Sequence, residues 1–251
     1  MRTHPLVALG FATLVLAPGV RAQDSPNIVF GAYYRCNQAQ EARTDTLYQQ
    51  VMAPAWQKQV EAGRISAYGW ARHWAGGAWR RLGYVVGTDR DAVIDARTEY
   101  IEEMQANHRE EMREFNNICS SHDDYIWLQV DGSEPLQTEA QDRPDVGLTS
   151  YMVCDSREGE ADEIMQTAFS PILNRHVQAG DISSWSWLEH SVGGWYRRAL
   201  VLDGADYKSM LDYWEKLWTD IESEQPELLR EFSSICESHS DYIWDLSVNS
   251  Q

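Results

Sequence analysis

Two histidine-centred segments stand out by residue type and spacing. His73, Gly76-Gly77 and Arg80-Arg81 recur 117 residues later as His190, Gly193-Gly194 and Arg197-Arg198. A histidine near its ordinary pKa can act as a general base, which makes His73 and His190 the candidate catalytic groups. A structural role competes with this, in which each ring hydrogen-bonds beside its Gly-Gly loop. Around the first histidine lie Tyr68, Trp70, Arg72, Trp79 and Arg81, and around the second Trp185, Trp187, Glu189 and Arg198. Aromatic faces with guanidinium groups can sandwich a small molecule and pair its anionic part, so these nine are the candidate ligand-binding residues. The competing reading is a filled core in which the arginines pair with Glu or Asp. No HExxH, CxxC, P-loop, GxSxG or dinucleotide fingerprint occurs, so neither a metal nor a nucleotide cofactor is expected.

The repeat extends well beyond these segments. The same offset of 117 carries Trp70 onto Trp187, His122 onto His239, and Asp124-Tyr125-Ile126-Trp127 onto Asp241-Tyr242-Ile243-Trp244. Cys36 meets Cys154 at an offset of 118. The chain is a tandem duplication, with copies at 27–131 and 148–249 and a polar, proline-containing linker at 132–147. Positions where the copies differ, such as Arg72 against Glu189 and Trp74 against Ser191, are candidates for a single specialised pocket.

Hydropathy patterning predicts the same elements in each copy. A strand (28–36; 148–154) leads into a helix kinked or restarted at Pro54 or Pro171, then two strands (65–73 and 79–86 in copy one) joined by the glycine loop. A long charged helix follows (90–118, its counterpart split at Pro226), and a last strand (125–130; 242–248) ends the unit. The order βαββαβ is that of a ferredoxin-like unit, so the expected class is α+β. Each unit leaves one sheet face bare, and a tandem copy supplies the matching sheet. Alternation on the second strand puts Ser66, Tyr68, Trp70 and Arg72 on one face and the small Ala67, Gly69 and Ala71 on the other. The bulky face is expected to point between the sheets, with Trp79, Arg81, Tyr125, Trp127, Tyr196, Arg198, Tyr242 and Trp244, and the small face to receive a helix.

Tandem ferredoxin-like units packed sheet to sheet resemble the dimeric α/β-barrel superfamily, which includes NIPSNAP-like and antibiotic-biosynthesis-monooxygenase-like proteins. The resemblance implies an intrachain barrel, a small-molecule ligand, and either binding or sensing or a cofactor-independent oxygenase or isomerase activity. It also allows haem. A purely structural, oligomerising protein is the third reading. The chain is expected to be a monomer or a homodimer.

Strands one and four are adjacent and antiparallel in such a unit. The cysteines are therefore expected to pair as Cys36–Cys119 and Cys154–Cys236. Strands two and four lie at opposite edges, so His73 and His122 cannot share a metal. Arg2, the apolar run 6–16 and Val20-Arg21-Ala22 read as a signal peptide over 1–22, too short to span a membrane. The expected location is periplasmic or secreted, without a membrane anchor after cleavage. With 21 Lys+Arg against 39 Asp+Glu the formal charge is -18, which argues against nucleic acid as a partner.

Overall fold

The computed structural model describes residues 26–133 and 145–246. The signal segment 1–22, most of the linker and residues 247–249 of the second copy lie outside them. Copy one comprises β1 (Ile28–Arg35), α1 (Glu41–Leu47), α2 (Ala53–Glu61), β2 (Ala67–Ala75), β3 (Arg81–Gly87), α3 (Arg90–Asn107), α4 (Arg109–Ile118) and β4 (Ser121–Gly132). Copy two repeats it with β5 (Val146–Val153), α5 (Glu158–Ile164), α6 (Ser170–Ala179), β6 (Ser184–Val192), β7 (Arg198–Gly204), α7 (Tyr207–Glu224), α8 (Pro226–Ile235) and β8 (Ser238–Asp245).

The two sheets do more than face each other. Their edge strands pair, β2 with β8 and β4 with β6, and close one eight-stranded antiparallel barrel in the order β1-β3-β2-β8-β5-β7-β6-β4. Closure leaves no free strand edge. The helices cover the outside, giving one helix–sheet core per copy and a third core inside the barrel. Both disulfides form as the topology requires, Cys36–Cys119 and Cys154–Cys236.

The helices restart at Pro54 and Pro171 as expected: a π-helical turn (Tyr48–Met52; Met165–Phe169) separates the preceding helix from α2 and α6, which carry these prolines in their first turn. One helical expectation needs correction. The long helix of copy one is not continuous over 90–118. It breaks at His108, whose backbone leaves the helical region (φ -134°, ψ 34°), as copy two breaks at Gln225 (φ -134°, ψ 50°) before Pro226.

The faces of the second strands are also reversed. Tyr68, Trp70, Trp185 and Trp187 pack under the helices, whereas Ala71 and Leu188 face the lumen. An eight-stranded barrel is only wide enough for its own side chains. Rings from β1, β4, β5 and β8 already occupy it, so β2 and β6 must be slim on that side. Gly69 shows the constraint: a Cβ there would overlap the Tyr84 ring.

Candidate functional site

The conspicuous Arg-Arg and His residues form a buried network between helix and sheet, repeated in both copies. Asp45 on α1 accepts from Trp70 Nε1 (2.8 Å) and from Arg81 Nε (2.6 Å) and Nη2 (2.9 Å). Glu41, one turn earlier, accepts from Arg81 Nη1 (3.0 Å) and Arg80 Nε (2.6 Å), and Arg80 Nη1 lies 2.6 Å from His73 Nδ1. Copy two reproduces each contact through Trp187, Asp162, Arg198, Glu158, Arg197 and His190. Burial, then the neighbouring arginine charge, pushes both imidazoles below their ordinary range. They are neutral and accept from arginine at Nδ1. Arg81 and Arg198 therefore face α1 and α5 instead of the lumen, and neither His73 nor His190 lines a cavity described below. Arg72 and Glu189 are likewise on the outer face; Arg72 Nη2 is 2.6 Å from Asp245 Oδ2. The sequence carried a signal for this network that residue type alone hides. Glu41/Glu158 and Asp45/Asp162 keep the offset of 117.

Inside the barrel, one half is filled. Tyr33, Trp79, Tyr125, Trp127, Tyr151, Tyr196, Tyr242 and Trp244 form a continuous plug of rings. Each Gly-Gly hairpin folds over this end onto the other copy. Tyr242 OH accepts from the Trp79 backbone N–H (3.5 Å) and Tyr125 OH from that of Trp195 (2.9 Å). Gly76 (φ 123°) must be glycine, since a Cβ would strike the Asp241 carbonyl. Of the nine candidate ligand residues, only Trp79 enters the lumen, and it belongs to the plug. The other half of the lumen holds a cavity of about 220 Å3 lined from both copies, with Asp203 as its one ionisable carboxyl.

Outside the barrel, each copy has a cavity between its sheet and its broken helix pair, at equivalent positions. The cavity of copy one, about 170 Å3, is lined among others by Tyr34, Arg97, Ile101, Met112, Phe115, Asn116 and His122. Their counterparts Met152, Trp214, Trp218, Leu229, Phe232, Ser233 and His239 line a more open groove of about 350 Å3 in copy two. The chemistry has diverged. Copy one is a box of rings, with Tyr48 stacked on Trp70 (4.5 Å) and Trp56 on Tyr100 (4.1 Å). Tyr48 and Tyr100 are among its lining residues, and their hydroxyls are buried and have no hydrogen-bond partner. Burial pushes both phenols up, so they remain O–H donors. Arg97, over the Phe30 ring at 4.6 Å, and Asp124 (3.3 Å from Arg97) stand on its wall, and His122 Nε2 is 3.6 Å from Asp124 Oδ1. Trp70, expected to meet a ligand between the sheets, thus lines a cavity on the opposite face.

Haem does not fit these residues. The lumen cavity has no His, Cys or Met on its wall, and burial pushes the Tyr33 and Tyr151 phenols up, away from phenolate ligation. The box of copy one is smaller than the roughly 300 Å3 at which pockets for drug-sized ligands begin. The groove of copy two offers His239, fixed by Asp241 at 2.8 Å, but that side chain is 53% exposed, a poor setting for an axial ligand. Among the described residues no cluster of His, Cys, Asp or Glu is arranged to hold a metal.

No family model and no curated protein matches the sequence. Solved structures do resemble it. An anthrone oxidase-like protein superposes with a TM-score of 0.60 at 10% identity, over 91% of this chain and 94% of that one. A candidate monooxygenase from Fusobacterium nucleatum gives 0.58 at 10%, over 90% and 95%. A variant chlorite dismutase from Candidatus Nitrospira defluvii gives 0.50 at 10%, over 90% and 92%. Identities this low speak for architecture alone. The chain has the dimeric α/β-barrel fold, built from two ferredoxin-like units within one polypeptide.

Proposed function

We propose that this chain is an exported small-molecule-binding protein whose ligand sits in the aromatic box of copy one. The observation that carries the reading is an aromatic cavity two of whose lining residues, Tyr48 and Tyr100, have buried, unpartnered hydroxyls. An unpaired buried donor costs about 1–3 kcal/mol, which a ligand acceptor recovers. The box therefore favours a small flat molecule bearing a carbonyl oxygen. Export is supported by the two disulfides, since such bonds persist in oxidising compartments. Among the described residues no helix is long and apolar enough to cross a membrane.

Acetophenone and ethylbenzene, alike in shape but differing in the acceptor, make the test by calorimetry. Acetophenone is expected to bind more tightly, with the preference reduced by Tyr100→Phe. Equal binding of the two, or a preference that Tyr48→Phe and Tyr100→Phe both leave intact, refutes the reading.

A second reading is a cofactor-independent enzyme, an oxygenase or isomerase. It is favoured by the His122–Asp124 pair on the same cavity wall, a histidine beside an orienting carboxylate. His122 takes the place of His73 and His190 as the candidate base. Here His122→Ala is expected to abolish turnover while leaving affinity in place.

A further inference from the structure

The cleft between α3 and α4 of copy one runs against the charge balance of the chain. Its volume is about 550 Å3, within the range of pockets that hold drug-sized ligands, and these two helices alone line it. On α4 the wall is Arg109, Met112, Arg113, Asn116 and Asn117, the i, i+3, i+4, i+7, i+8 spacing of a single helical stripe. Glu110, Glu111 and Glu114 fall outside that stripe, and Glu114 pairs with Arg43 at 2.7 Å. Tyr100, Ile101 and Met104 of α3 add an apolar wall. The chain has 39 Asp+Glu against 21 Lys+Arg, yet among the described residues no carboxylate lines this cleft and two arginines do.

Both arginines are exposed, and among the described residues neither is in an ion pair. Arg109 donates to the Gln105 carbonyl at 3.4 Å, a long bond. Residues four apart on a helix are neighbours, so one planar carboxylate can lie between the two guanidinium forks. Copy two lacks this arrangement. There Glu222 stands in place of Gln105 and Pro226 in place of Arg109, while Arg230, the counterpart of Arg113, is 3.9 Å from Glu227. The long-range field of an acidic protein attracts cations and repels anions, so any preference for an anion here has to come from the arginine pair at contact range. The apolar wall selects the rest of the ligand. Methionine side chains are unbranched and adapt to irregular partners, and the cleft has Met104 and Met112, which suits a flexible hydrocarbon chain.

We infer that the α3–α4 cleft of copy one is a second binding site, for an acyl-chain carboxylate, with the chain along Tyr100, Ile101, Met104 and Met112 and the carboxylate between Arg109 and Arg113. The cleft adjoins the aromatic box, since Tyr100, Ile101, Met112 and Asn116 are walls of both, but its arginines belong to the cleft alone. Occupancy of the box is not required.

The test compares three probes of one chain length, decanoate, 1-decanol and decyltrimethylammonium, by titration calorimetry on the full chain at physiological ionic strength. Decanoate is expected to bind roughly tenfold or more tightly than either, against the sign of the net charge, because hydrogen bonds to charged groups are the strong ones. Arg109→Gln and Arg113→Gln should each weaken decanoate severalfold, and the double variant should bring decanoate and decanol to within about twofold. Both side chains are exposed, so the unfolding midpoints of these variants should barely move. Arg230→Gln in copy two is the control and should leave the preference intact. Decanol or the cation binding as tightly as decanoate, no binding of decanoate, a preference that survives the double variant, or one lost equally in Arg230→Gln overturns the inference. Should the double variant fail to fold, the single variants decide. The preference for acetophenone over ethylbenzene belongs to the box and should be the same in the double variant as in the unaltered protein. Failure at the cleft therefore leaves the reading of the box standing, and the reverse also holds.

Discussion

In copy one, the run Trp70–Asp45–Arg81–Glu41–Arg80–His73 ties helix to sheet. In copy two, Trp187–Asp162–Arg198–Glu158–Arg197–His190 does the same through the equivalent side chains. The indole bonds measure 2.8 and 2.7 Å, and the shortest Arg–Asp bonds are 2.6 Å in both. A few residues away, the two cavities beneath the helices keep a phenylalanine (Phe115, Phe232) and a histidine (His122, His239) and differ in most of the rest: Arg97 stands where Trp214 stands, Tyr34 where Met152 does, Asn116 where Ser233 does. Groups that satisfy one another inside the protein have stayed paired in both copies, because losing one strands its partner in a low-dielectric layer. Groups that face empty volume have been free to change. The contrast assigns the networks to the fold and makes the cavities the place to test for a ligand.

The largest effects should fall on the duplicated parts and be equal between copies. The disulfides close segments of 83 and 82 residues, so losing either pair through Cys→Ser substitution should cost about 4–5 kcal/mol by the chain-entropy argument. Arg81→Leu and Arg198→Leu each leave an acidic pair without its buried cation, at about 3–5 kcal/mol. Urea denaturation of the four variants gives the comparison. A twofold or greater disparity between equivalent variants would mean that one copy has taken over the stability of the barrel.

The histidines extend the comparison to pH. Both rings have their pKa lowered from 6.5 in the folded protein, by burial and then by Arg80 or Arg197. As pH falls through the ordinary histidine range, the unfolded chain binds protons that the folded chain does not. Stability is therefore lost on acidification and restored above about pH 7. His73→Gln and His190→Gln should each flatten the slope between pH 5 and 7 by a similar amount, as read from denaturation midpoints. A slope unchanged in both variants would mean that folding leaves the two imidazole pKa values where they stand in the unfolded chain.

The architecture was legible because its constraints are carried by residues that cannot easily be replaced. Cys36, Cys119, Trp127 and their repeat partners fix register, and the arrangement of strands follows from the βαββαβ order of each unit. The orientation of the second strand was not legible in this way. Small Ala67, Gly69 and Ala71 are compatible with a close helix or with a crowded lumen, and alternation is silent about which face is crowded. The decisive fact is the summed volume of Tyr33, Tyr125, Tyr151, Tyr242 and the two hairpin aromatics, Trp79 and Tyr196, which fill the barrel first. The arginines misled for a related reason. Arg81 signals an anion, and the anions proved to be Asp45 and Glu41 on the neighbouring helix, 36 and 40 residues away.

The smallest stability effects should mark the diverged cavities. Arg97 is half exposed and holds a 3.3 Å ion pair with Asp124 and a ring contact with Phe30, interactions each worth about 0–1 kcal/mol at such sites. Arg97→Ala should therefore cost about 1 kcal/mol or less, far below Arg81→Leu in the same copy. The same substitution opens the mouth of the box and removes its cation, so the affinity for acetophenone should change severalfold while the unfolding curve barely moves. Small cost with altered binding is what a ligand-facing residue should show. If Arg97→Ala instead destabilised the protein as much as Arg81→Leu, with acetophenone affinity unchanged, the wall of the box would belong to the fold after all, and the division between paired and cavity-facing groups would fail at its clearest position.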